Sequence, residues 1–211
     1  MLKTNNSNAG YADNADALFE HYQGHLFEAV HADVLDYFPS VPASILDIGC
    51  GSGRDAAHLA GLGHAVTAIE PTAALLNRAI SFHKGVDVEW LADGLPTLGS
   101  LMPSGRTFDL IILSAVWMHL DEAQRAEGMQ NLARLTHSDS KVIMSLRHGP
   151  VPSGRVMFAV GQQETIELAQ ANGFTTLFAK SSESIQEKNR KQGVWWTKLV
   201  FRKSTDKLSV L

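Results

Sequence analysis

The hydrophobic and polar positions of the chain repeat with two different periods, which predict strands alternating with helices. Short apolar runs predict seven strands, at residues 44–48, 65–70, 86–91, 108–113, 141–146, 174–180 and 194–202. Apolar residues at three-and-four spacing predict helices at residues 54–60, 73–83, 121–136 and 164–172, and Thr72 is placed to cap the second of them. This alternation favours a mostly parallel α/β sheet with helices on both faces. The last two strands lack an obvious crossover helix between them, which predicts an antiparallel hairpin at the sheet edge.

The segment before the first strand has a helical pattern of its own. Apolar residues at helical spacing extend over residues 13–37, and Gly24 is expected to divide them into two helices. Pro39 and Pro42 end the segment. We therefore expect an N-terminal tail and helical lid at residues 1–42, followed by a single core domain at residues 43–211.

The strongest chemical signal is the turn after the first strand, which has the pattern Asp47-x-Gly49-x-Gly51-x-Gly53. Glycines let the backbone turn tightly and approach a ligand closely, as in the nucleotide-binding corner of an open α/β sheet. A dinucleotide-binding turn would need a third glycine at position 54, but the residue there is Arg54. No Lys-Ser or Lys-Thr pair follows the glycines, so the phosphate loop of nucleotide triphosphatases is absent as well.

Acidic residues end the next two predicted strands. Glu70 follows the second strand, 17 residues after Gly53, and Asp93 follows the third. Ligands of open α/β sheets lie at the carboxyl ends of the strands, where these carboxylates would meet. A carboxylate at the position of Glu70 can accept hydrogen bonds from both ribose hydroxyls, and one at Asp93 can accept from an adenine amino group. Either residue alone is equally well explained as a solvated acid.

The order and spacing of the glycine turn, Glu70 and Asp93 resemble the class I S-adenosylmethionine (AdoMet)-dependent methyltransferases over residues 44 to about 147. The resemblance implies a Rossmann-like fold, AdoMet as cofactor and an enzyme that transfers its methyl group. It further implies which residues hold each part of the cofactor: Asp47, Gly49, Gly51 and Gly53 the methionyl part, Glu70 the ribose, and Asp93 with Gly94 the adenine, with Cys50, Pro71 and Ser114 as additional contacts. An acidic turn suits AdoMet, which has a cationic amine and a sulfonium but no phosphate.

The candidate residues for binding the methyl acceptor come after the fourth and fifth strands and from the N-terminal segment. His119 is either a base near neutral pH or a residue that packs on the helix after it. The expected substrate contacts are Trp117 as an apolar wall, Arg147 and Arg155 as partners of an anionic acceptor, and Tyr11 and Tyr22 as a lid. Exposure in a solvated loop explains the arginines equally well. The fourth strand ends in Ser114-Ala115-Val116-Trp117 rather than the Asn/Asp-Pro-Pro-aromatic motif of methyltransferases that act on nucleic-acid or protein amides, which lowers the odds of those acceptors.

Composition narrows the class of partner. The 211 residues have a net charge of −4 with 19% charged residues, which gives no basic surface for nucleic acid. No apolar run approaches the roughly 20 residues of a membrane span. The single cysteine, Cys50, favours a cytoplasmic location. We therefore expect a methyltransferase for a small molecule, without a metal site, and the acceptor atom and the oligomeric state stay open.

Two alternatives remain. A non-catalytic AdoMet-binding or regulatory protein would keep the glycine turn, Glu70 and Asp93 but would lack an acceptor cavity. An NAD-dependent dehydrogenase is disfavoured by Arg54 at the third glycine position and by Asp47 in the turn.

Overall fold

A seven-stranded sheet organises the chain, which the computed structural model describes at residue 11 and over residues 15–205. Its strands are β1 Ser44–Ile48, β2 Ala65–Ile69, β3 Val88–Leu91, β4 Phe108–Ser114, β5 Thr136–His148, β6 Phe174–Glu183 and β7 Trp195–Lys203. The strand order is β3-β2-β1-β4-β5-β7-β6. The first five strands are parallel, and β7 is antiparallel to both β5 and β6. The predicted fold class, a mostly parallel Rossmann-like sheet with an antiparallel pair at one edge, is confirmed.

Helices connect the strands and cover both faces of the sheet. They are α1 Ala15–Gln23, α2 Phe27–His31, α3 Arg54–Gly61, α4 Ala73–Phe82, α5 Glu122–Arg134, α6 Gln162–Ala171 and α7 Glu187–Lys191. Asp121 caps α5, since its carboxylate accepts from the backbone N–H of Gln124 while the Gln124 amide accepts from the backbone of Asp121. Within the described part of the chain, no helix is long and apolar enough to cross a membrane.

Three local predictions need correction. Thr72 stands at the start of α4 but its side chain makes no capping hydrogen bond; its backbone N–H donates to Glu70 instead. The helix predicted to reach residue 136 ends at Arg134, because Thr136 already pairs with Phe108 of β4. The polar stretch 181–193, predicted without a helix, contains the short helix α7.

The edge strand of the sheet is β6, and β7 lies inside it with a partner on each side. The neighbouring side chains of Trp195 and Trp196 in β7 lie on opposite faces of the sheet. Trp196 packs against the core, while Trp195 is exposed and stacks on His148 with 3.7 Å between ring centroids.

The N-terminal helices pack on the core domain. Phe27 and Val34 belong to the apolar cluster that includes Leu59 of α3. Phe19 of α1 packs with Leu75 of α4. These contacts fix α1 and α2 beside the glycine turn, which places Tyr22 at the carboxyl ends of the parallel strands.

Candidate active site

A cavity of about 1180 Å³ lies at the carboxyl ends of β1, β2 and β4. In the strand order β3-β2-β1-β4-β5, this is the point where successive connections turn in opposite directions, the usual ligand position in an open α/β sheet. Most of the residues predicted as a site line it: Tyr11, Tyr22, Asp47, Gly49, Cys50, Gly51, Glu70, Pro71, Gly94, Ser114, His119, Arg147 and Arg155. Gly53, Asp93 and Trp117 do not.

The glycine turn lies so close to its neighbours that side chains are excluded. Gly49 has a φ of +68°, and a Cβ there would lie 2.6 Å from a methyl carbon of Val116. Gly51 has a φ of +55°, and a Cβ there would lie 3.3 Å from the Tyr22 ring. Both positions therefore require glycine for the backbone to turn into the cavity.

Gly53 has a different role from the predicted one. It has a φ of +74°, and a Cβ there would lie 2.5 Å from the Trp90 ring, away from the cavity. Next to it, the Arg54 guanidinium donates to the backbone carbonyl of Tyr22 at 3.1 Å. Gly53 thus packs against β3, and Arg54 joins the turn to α1 while also lining the cavity.

Asp47 is a fully buried carboxyl group beside the turn. Its Oδ2 has no hydrogen-bond partner in the described structure. Burial, and next the charge of Asp55, raise the pKa of Asp47 well above its ordinary value. A buried carboxyl oxygen without a partner is costly unless a ligand supplies a donor or a cation. This fits the cationic amine and sulfonium of AdoMet.

Asp55, in the first turn of α3, is a second buried carboxylate that the sequence analysis missed. It accepts hydrogen bonds from Arg54 Nε at 2.7 Å, His31 Nε2 at 2.9 Å and Ser114 Oγ at 3.3 Å. Burial alone would raise the pKa of Asp55, but His31 and Arg54 together hold it below its ordinary value. Burial lowers the pKa of His31, so a neutral imidazole donates its Nε2–H to an ionised Asp55. In the sequence, Asp55 looked like an ordinary acid at a helix start.

Glu70 lies where the sequence predicted it, at the end of β2. Its two oxygens accept from the backbone N–H groups of Gly51 at 3.0 Å and Thr72 at 2.9 Å. Burial raises the pKa of Glu70, and these hydrogen bonds oppose the increase. Because a carboxylate has about four acceptor positions, the anchored group can still accept from two hydroxyls.

Asp93 turns into its own loop rather than toward the cavity. One oxygen accepts from the backbone N–H of Gly94 at 2.7 Å, and the other accepts from the backbone N–H of Ser100 at 2.9 Å and from the Ser100 hydroxyl. Gly94 and Leu95 line the cavity in its place. The hydrogen bonds of Asp93 thus stabilise the loop that places Gly94 and Leu95 at the cavity.

Ala115, which follows β4, has a backbone conformation that is rare for a residue with a side chain. Its φ is +62°, and its N–H donates to Ser145 Oγ at 3.0 Å. A left-handed alanine costs on the order of 1–2 kcal/mol. The bend brings Val116 against Gly49 and turns the chain toward His119.

Cys50 lines the cavity within the turn. Burial, together with the charges of Asp47 and Glu70, raises the pKa of its thiol well above the ordinary value. The protonated thiol is a poor nucleophile, so Cys50 fills the turn as a small side chain.

His119 lines the same cavity and is held at both ring nitrogens. Its Nδ1 lies 2.8 Å from the carbonyl of Val156, which can only accept, so Nδ1 carries the hydrogen. Nε2 then accepts from the Tyr11 hydroxyl at 2.9 Å. Burial, followed by the charges of Arg155 and Arg147, lowers the pKa of His119, so the imidazole is neutral at pH 7.

The predicted arginines also lie on this wall. Arg147, near the end of β5, donates to the Pro150 carbonyl at 2.8 Å. The Arg155 guanidinium lies 4.6 Å from the centre of the Tyr11 ring. The lining residues Tyr11, His119 and Arg155 therefore form one connected group.

Trp117 lies elsewhere than expected. It is fully buried in the apolar cluster of the core and does not line the cavity, so it forms no wall for a substrate. Its neighbours Val116 and Met118 line the cavity instead. The cause is the short 3-10 helix Trp117–His119, which turns successive side chains in different directions.

Comparisons with known proteins agree with this geometry. Residues 45–139 match a family model described as a methyltransferase domain. A TehB-like AdoMet-dependent methyltransferase from Corynebacterium glutamicum has a similar structure, with a TM-score of 0.68 and 21% identity over 91% of this chain and 99% of that one. So does 1,6-didemethyltoxoflavin-N1-methyltransferase from Burkholderia thailandensis, with a TM-score of 0.64 and 20% identity over 89% and 79% of the two chains. A third is magnesium protoporphyrin IX methyltransferase from Synechocystis, with a TM-score of 0.60 and 17% identity over 92% and 80%.

No curated protein matches the chain in sequence. The structural likenesses, all at low identity, show the fold, and the matched family model adds the activity. Residues 45–139 thus match a methyltransferase domain, and the chain has the fold of the class I AdoMet-dependent methyltransferases; together the two findings support an enzyme that uses AdoMet.

Proposed function

We propose that the enzyme transfers the methyl group of AdoMet to a small-molecule acceptor bound between the Asp47 turn and the wall formed by His119 and Arg155. A drug-sized ligand occupies a pocket of about 300–1,000 Å³, and this cavity of about 1180 Å³ offers room beyond one such ligand. Tyr11 contacts both His119 and Arg155, and Tyr22 lines the same cavity. Two of the similar proteins bear the names of small acceptors, a didemethyltoxoflavin and magnesium protoporphyrin IX.

The observation that supports this placement of the cofactor is the buried, unpartnered Oδ2 of Asp47. We infer that Asp47 and the backbone of Gly49, Cys50 and Gly51 hold the methionyl part. Glu70 would hold the ribose, and Gly94, positioned by Asp93, would contact the adenine. Pro71 and Ser114 line the same part of the cavity. When bound, AdoMet supplies an electrophilic methyl group on a cationic sulfur.

On the acceptor side, the protein's contribution is mainly position. Methyl transfer is an in-line displacement, which accelerates when the attacking atom is held against the methyl group. Where that atom must lose a proton, the neutral His119 is the proposed base that accepts the proton. Its Nε2 reaches the cavity through the Tyr11 hydroxyl, so the two residues act as a pair. The N-terminal segment that provides Tyr11 and Tyr22 acts as the lid in this proposal.

Calorimetry tests the cofactor half of the proposal. AdoMet and S-adenosylhomocysteine are expected to bind, whereas NAD and NADH are not; binding of the nicotinamide cofactors alone would overturn it. Glu70→Ala should weaken AdoMet binding by about tenfold through the loss of two hydroxyl contacts. The matched control is Glu89→Gln, since Glu89 lies outside the cavity and pairs with Arg106 at 2.8 Å. Equal affinity in both variants would contradict the ribose assignment.

A labelled-AdoMet screen against cell metabolites tests the acceptor half. We expect label in a small-molecule product and none in protein or nucleic acid. Label only in macromolecules would disprove a small acceptor. Because Cys50 is the only cysteine, we also infer a cytoplasmic location, which makes a cytoplasmic extract the right source of acceptors.

A further inference from the structure

We propose that the acceptor bears an oxyanion, a carboxylate or a phosphate, which binds the guanidinium groups of Arg147 and Arg155. The inference rests on the proposed methyl transfer to a small molecule and adds the chemical class of that molecule. Both arginines line the cavity, one from the end of β5 and the other from the loop that follows it.

The contacts of the two arginines fix their positions without neutralising their charge. Arg147 donates to the uncharged carbonyl of Pro150 at 2.8 Å. Arg155 lies over the Tyr11 ring, 4.6 Å from its centre. Each guanidinium has five N–H donors in a planar fork, so donors remain for a ligand. A fork held in place is well suited to bidentate binding of a carboxylate or phosphate.

Neither guanidinium has a carboxylate within 4.0 Å in the part of the chain that the structure describes. Other arginines that are shielded from solvent do have one: Arg54 pairs with Asp55 at 2.7 Å, and Arg125 pairs with Glu164 at 2.7 Å. Partial burial and the charge of Arg155 also lower the pKa of Arg147. Two cationic groups that face one cavity without a protein counterion favour an anionic ligand.

The charged residues around the cavity favour one orientation of the acceptor relative to AdoMet. Asp47, Asp55 and Glu70 form the acidic end, where AdoMet is proposed to bind through its cationic groups. An oxyanion is repelled there and attracted to the arginines. Further charged groups line the cavity. Among the acids, Asp33 pairs with Lys180, and Glu183 lies at the end of the edge strand β6. Among the cations, Arg54 pairs with Asp55, and Lys198 donates to the Val30 carbonyl. The two ligands are thereby oriented toward each other, with the acceptor held by its charged group.

The methyl transfer requires only the acceptor and AdoMet as reactants. A lone pair of the acceptor forms a bond to the methyl carbon as the bond from that carbon to sulfur breaks, and the bonding pair stays on sulfur. The products are the methylated acceptor and neutral S-adenosylhomocysteine. If the attacking atom carries a proton, the proton goes to His119 Nε2, through the Tyr11 hydroxyl. If the oxyanion is itself the nucleophile, no proton moves.

The first arm of the test measures binding to the full-length protein saturated with S-adenosylhomocysteine. The probes are inorganic phosphate and benzoate, with neutral benzamide as the control ligand. We expect at least one anion to bind and benzamide not to bind, with about tenfold weaker anion binding in R147Q and in R155Q. The control variant R202Q replaces an exposed arginine at the opposite end of β7 and should bind as the wild type does. Unchanged binding in both cavity variants, or no binding of either anion, overturns the inference.

The second arm separates a wrong acceptor class from a wrong reaction. Metabolites are divided by anion exchange, and each fraction is supplied with labelled AdoMet. We expect methylation in the retained, anionic fraction with a KM raised about tenfold in R147Q and R155Q, and not in R202Q. Phosphatase treatment abolishes the activity if the group is a phosphate and spares it if the group is a carboxylate. Methylation confined to the unretained fraction overturns the anionic acceptor but leaves small-molecule methyl transfer intact; methylation in no fraction, despite AdoMet binding, overturns the proposed function itself.

Discussion

The two ends of the cavity are built in different ways. The acidic end comes from a short stretch of chain: Asp47 lies in β1, Asp55 lies in the first turn of α3, and Glu70 directly follows β2, the strand paired with β1. The opposite end combines Tyr11, His119, Arg147 and Arg155, which are far apart in the sequence. The proposed cofactor site is therefore encoded in a local motif, whereas the proposed acceptor site depends on loops that only the fold brings together.

Burial shifts the pKa values of ionisable groups at both ends of the cavity, but in opposite directions. Burial raises the pKa of Asp47 at one end and lowers the pKa of Arg147 and of His119 at the other. In each case the protein disfavours the charged form of its own group. Ligands of opposite charge would relieve that cost, which couples binding to the titration of each end.

The largest expected effect is at the acidic end. Asp47→Asn should weaken AdoMet binding at least tenfold, because it removes the buried anion. It should also stabilise the ligand-free protein at neutral pH. The folded wild type holds the Asp47 proton more tightly than the unfolded chain does, so its free energy of unfolding falls as pH rises above 3.8 toward the raised pKa.

Calorimetry and thermal melts at pH 5 and pH 8 measure both effects of Asp47→Asn. The control is Asp109→Asn, outside the cavity. Asp109 accepts from the Ser44 hydroxyl and backbone, and these bonds lower its pKa, so its contribution is present at neutral pH and is lost as pH falls below 3.8. Asp109→Asn should thus destabilise the protein at pH 7 and leave AdoMet affinity unchanged. The same sign of stability change in both variants would contradict this account.

An effect on stability, and not on AdoMet binding, is expected where the turn meets β3. Gly53→Ala should lower the free energy of unfolding by about 2 kcal/mol or more, because it adds a contact with Trp90 to left-handed strain. Gly63→Ala, at a φ of +90° in open space, should cost only the strain, about 1–2 kcal/mol. Urea unfolding of both variants compares them. Equal losses would show that the Trp90 contact is unimportant.

The basic end should influence the pH dependence of turnover. The lowered pKa of His119 predicts that kcat is lost on the acid side only below pH 6.5, when the imidazole becomes protonated. Arg155→Gln removes a nearby positive charge and should shift this limb to higher pH, while Tyr11→Phe should lower kcat several-fold by breaking the contact to Nε2. A pH profile identical in wild type and Arg155→Gln would mean that His119 only packs. These measurements require an acceptor that releases a proton.

The smallest effect is expected at Ala115, between the two ends. Ala115→Gly should raise the free energy of unfolding by less than about 1 kcal/mol, since relief of left-handed strain exceeds the entropy cost of glycine. Ala126→Gly, inside α5, should lower it by about 1 kcal/mol. Denaturant titrations distinguish the two signs. Destabilisation by both substitutions would indicate that Ala115 is not strained.

The local parts of the fold were predictable because their signals are local. The apolar runs identified all seven strands, and the glycine turn with Glu70 identified part of the cavity lining, since consecutive residues fix a turn and the end of a strand. The boundaries of β5 and the inner position of β7 were not predictable. They depend on pairing with strands that are distant in sequence.

Individual side-chain directions were decided by the tertiary structure. The sequence predicted ligand contacts for Asp93, Gly53 and Trp117, but none of the three lines the cavity. Asp93 accepts a hydrogen bond within its own loop, Gly53 packs against Trp90, and Trp117 belongs to the apolar core. Asp55 looked ordinary but meets His31 from another helix inside the protein.

The sequence by itself determined the sheet, the glycine turn and the acidic residue Glu70 beside it, because strand periodicity and a tight turn depend on neighbouring residues. Only the tertiary structure decided which polar groups are buried without a partner and which charges face the same cavity. Those properties depend on the distance between residues that are remote in the chain, and distance and burial set the cost of each charge. The acidic end is therefore evident in the sequence, and the basic end becomes evident only when Tyr11, His119, Arg147 and Arg155 are seen together.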